Sequence, residues 1–192
     1  MDLIFASHNE NKVKEIRAIL PKWLTILSLN DIDFQQEIEE TGSTLEENAQ
    51  IKAETIFKRT GKNVFADDSG LFVDALNGAP GVFSARYAGT GNSQDNIEEL
   101  LQELKNHSDR KAEFRAVFCV IWKGELSFLS GKVEGEILSE SKGLEGFGYD
   151  PVFVPTGYSQ TFAEMNPEEK NKISHRYHAV QKLINHLENL AS

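Results

Sequence analysis

Two adjacent carboxylates and a hydroxyl close a short apolar stretch in Phe65-Ala66-Asp67-Asp68-Ser69-Gly70. Side by side, such carboxylates repel unless a divalent cation or a shared proton offsets their charge, and an all-oxygen donor set favours a hard cation such as Mg²⁺. The same residues also suit an Asx turn after a strand, because Asp, Ser and Gly dominate ordinary turns. Composition leaves both readings open.

Three further segments have side chains suited to chemistry. Ser7-His8-Asn9-Glu10-Asn11-Lys12 lies between a predicted strand and a predicted helix, where free backbone N–H groups and the helix dipole favour a phosphate and Lys12 adds a full charge. With no glycine and no Walker spacing, it also reads as an Asn or Ser helix cap with Lys12 in solvent. In Gly143-Leu144-Glu145-Gly146-Phe147-Gly148-Tyr149-Asp150-Pro151, glycines loosen the backbone around two aromatic rings, so that Phe147 or Tyr149 offers a face to a planar base. The alternative is a loop whose rings pack on the core. Lys170-Asn171-Lys172-Ile173-Ser174-His175-Arg176 is a basic helical run, which by itself reads as a solvated face.

The elements that must position these segments alternate between strand and helix patterns. Leu3 to Ala6 predicts a buried strand, Val13, Ile16, Ile19 and Leu20 a helix ending before Pro21, and Thr25 to Leu29 a second strand. Thr44-Leu45-Glu46-Glu47 is a capping box, opening a helix whose apolar face is Leu45, Ala49, Ala53 and Ile56. Val64 to Ala66 predicts a short strand leading into the acidic turn. Asn92 or Ser93 caps a helix that buries Ile97, Leu100, Leu101 and Leu104. The alternation from Ala112 to Val120 predicts a central strand, and Lys123-Gly124-Glu125 a turn into an antiparallel strand over 126–129. Asn166-Pro167-Glu168-Glu169 starts a last helix with a stripe of Ile173, Tyr177, Val180, Ile184 and Leu187.

The 192 residues suit one domain or two closely packed lobes, and the net charge of −10 argues against a binder of nucleic-acid polymers or anionic membranes. Cys119, the single cysteine, excludes an intramolecular disulfide and fits a reducing cytoplasm. No stretch is long and apolar enough to span a bilayer, and the N-terminus lacks the pattern of a secretory leader, so a soluble chain is expected.

Taken together, Ser7-x-Asn9-x-x-Lys12, Glu40-Thr41-Gly42 with Glu47-Asn48-Ala49, Ala66-Asp67-Asp68-Ser69-Gly70-Leu71, Gly78-Ala79-Pro80-Gly81 with Ser84-Ala85-Arg86-Tyr87, Phe147-Gly148-Tyr149-Asp150-Pro151 and Ser174-His175-Arg176 resemble the inosine/xanthosine triphosphate pyrophosphatase family, including its bacterial RdgB-like members. The resemblance runs nearly end to end, and six motifs in the same order make it specific. It implies an α/β fold with an elongated mixed sheet flanked by helices. Residues 1–192 would form a single domain of two lobes with a nucleotide cleft between them, and two chains a homodimer. The implied activity is Mg²⁺-dependent hydrolysis of nonstandard purine nucleoside triphosphates (ITP, dITP, XTP) to monophosphate and pyrophosphate, which cleanses the nucleotide pool. His8 is a departure, since many members have Gly there.

By the same resemblance, Glu40 and Asp68, with Asp67 beside them, would hold Mg²⁺, and Asp68 would accept a proton as the catalytic base. Ser7, Asn9, Lys12 and Lys52 would bind the phosphates, and His8, Glu10, Asn11 and Ser69 would be among the substrate-binding residues. Phe147, Gly148, Tyr149, Asp150, Lys170, His175 and Arg176 would hold base and ribose. Donors from His175 and Arg176 suit the purine 6-oxygen of hypoxanthine or xanthine and would be left unpaired by adenine. Two other readings are a nucleotide-binding regulator without turnover and a metal-dependent phosphomonoesterase. The first leaves the paired aspartates beside Glu40 unexplained, and the second lacks the Asp-x-Asp nucleophile arrangement.

Overall fold

The computed structural model describes residues 1–191. Its elements run β1 (Asp2–Phe5), α1 (Glu10–Ile19), β2 (Thr25–Ser28), α2 (Leu45–Thr60), β3 (Val64–Val73), α3 (Ser93–Glu103), β4 (Lys111–Trp122), β5 (Glu125–Ile137), β6 (Phe153–Pro155), α4 (Pro167–Ile173) and α5 (His175–Ala191), with short 3₁₀ turns between several of them. The six strands form one sheet in the order β2-β1-β3-β4-β5-β6. β1 pairs in parallel with both β2 and β3, and β5 with β6 antiparallel, so the sheet is mixed as expected. Lys123 and Gly124, both at positive φ, make the two-residue link between β4 and β5, a connection that only antiparallel neighbours allow. No helix among the described residues is long and apolar enough to cross a membrane.

The chain divides into two compact units. The first comprises Met1–Asp68, Ala116–Gly131 and the stretch from Arg176 onward. Strand alternation splits its core into two layers. Leu3, Phe5, Phe65, Phe118 and Val120 face Val13 and Ile16 of α1 and Ala179, Val180, Leu183 and Leu187 of α5. Ile4, Ala6, Val64, Ala66, Cys119 and Ile121 face Ala49, Ala53 and Ile56 of α2. Phe65 is central to the first layer, stacked 4.6 Å from Phe5 and tilted against Phe118 at 5.4 Å, so truncating it to Ala is expected to cost about 3–5 kcal/mol. The second unit, Ser69–Arg115 and Lys132–His175, has its own core, in which Leu71, Val73, Phe114, Phe153 and Phe162 pack with Ile97, Leu100 and Leu104 of the α3 segment.

Local chemistry accounts for most boundaries. Asn9 caps α1, Thr44 caps α2 through Glu47 N, Asn92 caps α3 and Asn166 caps α4. The Glu47 carboxylate takes its return bonds from Ser43 N and Oγ, at 2.6 and 2.8 Å, one residue earlier than a capping box would place them.

Three sequence expectations are corrected. The acidic run is not a turn: β3 continues through it for ten residues. Gly70 is there for proximity, since a Cβ would sit 2.3 Å from the Gly81 carbonyl oxygen. β5 runs to Ile137, far beyond residue 129, because Gly135 permits β6 to approach; a Cβ there would meet Val154 O at 2.3 Å. The last helix is two helices, broken at Ser174 (ψ 157°), so α4 and α5 present different faces and the buried stripe of α5 is Ala179, Val180, Leu183 and Leu187.

Candidate functional site

The strand conformation of Asp67 and Asp68 decides what the acidic pair can do. Successive side chains on a strand point to opposite faces, so the two carboxylates are separated by the pleat and not crowded together. Asp67 falls on the α1/α5 side with Phe65, and Asp68 on the α2 side with Ala66.

On the first side Asp67 is buried at 1% exposure, with Lys12 Nζ 3.3 Å and Arg176 Nε 3.0 Å from its Oδ2. Arg176 is also buried and pairs through Nη1 with Glu15 of α1. Burial alone would raise the Asp67 pKa, but Lys12, Arg176 and Lys52 outweigh it and hold the carboxyl far below the usual carboxylate range. Burial works against the charge of Arg176 too, and Asp67 and Glu15 overcome it, keeping the guanidinium charged. Lys12, by contrast, is pulled below the ordinary lysine value by burial, which the attraction of Asp67 does not fully offset. Asp67 Oδ1 is buried and has no hydrogen-bond partner among the described residues.

On the other side Lys52 projects from the buried face of α2 between two carboxylates, 2.6 Å from Glu40 Oε1 and 3.2 Å from Asp68 Oδ1. Asn48, one turn earlier on the same face, donates to Asp68 Oδ2 at 3.2 Å and accepts from Gly42 N at 2.8 Å, tying the segment that carries Glu40 to the strand that carries Asp68. Burial raises the Asp68 pKa; Lys52 and Lys12 oppose this, Glu40 and Asp67 reinforce it, and the net shift is upward. Burial would lower Lys52, but Asp68 and Glu40 win and its ammonium is held above the ordinary value.

Adjacent to these centres in the chain, Asn9 Oδ1 accepts from Asn11 N and Lys12 N at 3.0 and 3.2 Å, and Ser7 Oγ accepts from Asn9 N at 3.1 Å. The cap expected as the alternative is therefore formed. Lys12 is nevertheless drawn to Asp67 and does not extend into solvent. Glu10 and Asn11 are exposed.

In the second unit, Asp150 Oδ2 accepts from Phe147 N at 2.8 Å and from Lys170 Nζ at 2.7 Å, and all but closes the space that a Cβ on Gly146 would need, 2.1 Å away. Lys170 Nζ also lies 4.9 Å from the centroid of the Phe147 ring. Gly148 takes φ 61°, which a side chain would strain. Tyr149 is buried and donates to Ser84 O at 2.9 Å, and His175 stacks on Phe114 at 4.9 Å. Half-buried Ser69 is the first residue of this unit. The break at Ser174 divides the basic run: Lys170 and His175 belong to the second unit and Arg176 to the first.

Two residues at these centres were given no role from sequence. Asn48 has a readable signal, a carboxamide among Leu45, Ala49, Ala53 and Ile56 on the buried face of α2. Glu15 has none, because a charge in the middle of α1 looks solvated until Arg176 is placed against it.

The donor chemistry near Asp68 fits Mg²⁺. Among the described residues no group of three His, Cys, Asp or Glu side chains converges as a cation cage. Mg²⁺ commonly takes one or two carboxylates and completes its shell with water and substrate phosphates, and the two carboxylates that already share one cation, Lys52, are Glu40 and Asp68. Asp67 spends its Oδ2 on Lys12 and Arg176.

The sequence matches the Ham1 family profile over residues 3–186. The chain belongs to the Ham1 family. It is 50% identical over 188 residues to the dITP/XTP pyrophosphatase of Christiangramia forsetii, covering 97% of this chain and 99% of that one. It is 52% identical over 187 residues to the Bacillus licheniformis protein of the same name, covering 95% of each. Among solved structures, a Ham1 protein from Coxiella burnetii superposes with a TM-score of 0.90 at 40% identity, and the Staphylococcus aureus Ham1 protein with 0.88 at 41%; each comparison covers 98% of this chain and 99% of the other. The Ham1 relatives bear out the family read from the six motifs, and the Ham1 structures the mixed α/β fold.

Proposed function

We propose that this chain hydrolyses nonstandard purine nucleoside triphosphates (dITP, XTP and ITP) to the monophosphate and pyrophosphate, acting in the cytoplasm as a homodimer to clear these nucleotides from the pool. The observation that carries the reading is the pairing of Glu40 and Asp68 about Lys52, with a buried Asp68 whose pKa is raised. The names of relatives half identical over nearly full length supply the substrate class.

Glu40 and Asp68 would hold Mg²⁺, which when bound neutralises triphosphate charge and makes a nearby water more acidic. Asp68 accepts the proton of the attacking water, a role that suits a carboxylate whose pKa has moved toward neutrality. Water adds across the α–β phosphoanhydride: its hydroxyl joins a phosphorus, the bridging bond breaks and pyrophosphate leaves. Lys52 and Lys12, with Ser7 and the N-terminal N–H groups of α1, receive the charge that grows on the phosphates. Asn48 keeps the Glu40 segment in register with Asp68. Phe147, whose backbone is fixed by Asp150, offers a face to the purine, and donors from the Lys170–Arg176 run select the 6-oxygen.

The test is incubation with a panel of nucleoside triphosphates and Mg²⁺. Monophosphate and pyrophosphate from inosine and xanthosine triphosphates, with little from ATP, support the reading. Orthophosphate would make the chain a phosphatase, and binding without turnover would make it a regulator.

A further inference from the structure

His8 lies in the β1–α1 loop, and both of its ring nitrogens meet acceptors. Nδ1 is 3.1 Å from Asn30 Oδ1 and Nε2 is 3.2 Å from the Gln36 carbonyl oxygen. The Asn30 amide cannot be turned to donate without loss, because its Nδ2 already donates to the Glu10 carboxylate. A main-chain carbonyl never donates. Neutral imidazole has one N–H and satisfies one of these partners, whereas imidazolium has two and satisfies both.

Both partners belong to the connection between β2 and α2. Its ordered amides include Leu29 N on Ser7 O, Phe34 N on Leu29 O and Gly42 N on Asn48 Oδ1. Ile32, Phe34 and Ile38 pack it against the α2-side core, and the Phe34 ring lies 6.3 Å from the His8 ring. The same connection carries Glu40 to Lys52.

We infer that His8 is a positioning residue whose imidazolium latches the Glu40-bearing connection onto the β1–α1 loop, so that the residues assigned to phosphate and those assigned to the metal are set by one side chain. The functional half of this inference rests on the proposed pyrophosphatase reading; the latch itself does not. The charged groups on the surrounding elements are Glu10 and Lys12 in the first turn of α1 and Asp31, Asp33, Glu37, Glu39 and Glu40 along the connection. Lys12 is committed to Asp67 and Asp31 to Arg17. The acids accept only, so none of them can replace the ring as a donor.

The experiment compares wild type with His8→Phe, which keeps a ring against Phe34 and removes both donors, and with His8→Gln, which has one donor nitrogen. Amide hydrogen exchange corrected for its intrinsic pH dependence is followed at Leu29, Ile32, Asp33, Phe34 and Gly42. At pH 6 these amides should exchange about tenfold more slowly in wild type than in His8→Phe, with His8→Gln between, while Ile4 and Ala6 in β1 do not respond. Equal exchange in wild type and His8→Phe at pH 6 would overturn the latch. The second readout is the Mg²⁺ concentration for half-maximal hydrolysis of inosine triphosphate, which His8→Phe should raise several-fold. A changed exchange with an unchanged Mg²⁺ requirement would overturn the positioning role. A wild-type chain without hydrolysis would remove the pyrophosphatase reading and leave the exchange result to decide the latch.

Discussion

Asp67 and Asp68 are neighbours in sequence and opposites in environment. Asp67 is fully buried among Lys12, Arg176 and, farther off, Lys52, and its carboxyl is held charged. Asp68 is buried with Lys52 as its main cation and Glu40 as a second acid, and its carboxyl is pushed the other way. One peptide bond on a strand is enough to put two identical groups on different faces, and the helices behind each face then assign their chemistry. Asp67 anchors α1 and α5 to β3, while Asp68 is the carboxylate to which the proposed mechanism gives the proton.

If that division holds, the largest effect belongs to Asp68→Asn, which should lower turnover by about 10²–10⁴-fold, the usual contribution of a general base. Its stability should not fall. For an acid whose folded pKa is raised, the favourable contribution is present below the unfolded pKa of about 3.9 and is lost as pH rises through the folded value. At neutral pH the charged Asp68 is therefore a cost, and the Asn variant should melt at or above the wild-type temperature. A lower melting temperature by calorimetry would place Asp68 among the structural residues.

Asp67→Ala should behave in the reverse manner, costing about 3–5 kcal/mol because it leaves Lys12 and Arg176 facing an emptied partner. Here the folded pKa is depressed, so the stabilisation is present above about pH 3.9 and fades as pH falls toward the folded value. Urea unfolding from pH 7 to pH 3 should show wild type losing stability below about pH 4, with the difference from Asp67→Ala narrowing in step. A difference that does not change with pH would mean that packing, and not the ion pairs, is what Asp67 supplies.

Much of this was legible in the chain. The apolar stripes of α1, α2 and α3, their Asn and Thr caps and the alternation of β4 follow from local rules, and they place the loop at Ser7 between β1 and α1. The course of β3 does not follow from them. Asp, Ser and Gly are poor strand residues and good turn residues, and it is their place in a ten-residue strand hydrogen-bonded inside the sheet between β1 and β4, with the close Gly70–Gly81 approach, that keeps them extended. Arg176 and Lys170 misled for a related reason. A basic helical run ordinarily means a solvated face, and their burial depends on carboxylates more than a hundred and exactly twenty positions away, Asp67 and Asp150.

Smaller effects sharpen the contrast further. Lys52→Met should lower turnover of inosine triphosphate and raise KM, since the residue pairs with both carboxylates and is proposed to bind the phosphates, whereas Lys58→Met on the exposed side of α2 should change neither, its pair with Glu54 being worth less than about 1 kcal/mol. Unchanged kinetics for Lys52→Met would detach the Glu40–Asp68 pair from the reaction. The smallest response is expected of Cys119, buried beside the α2-side core with its thiol pushed up to about 12 by burial. It should resist Ellman's reagent at pH 8 in the native protein and react fully in denaturant; rapid native labelling would show that this core layer opens.

The most direct measurement is the ¹³C NMR titration of the two side-chain carboxyls in the metal-free protein, assigned through Asp67→Asn and Asp68→Asn. The account predicts that Asp68 titrates above its ordinary value of 3.8 and that Asp67 is still ionised well below it. Coincident titrations, or Asp67 titrating above Asp68, would contradict the division of labour along β3.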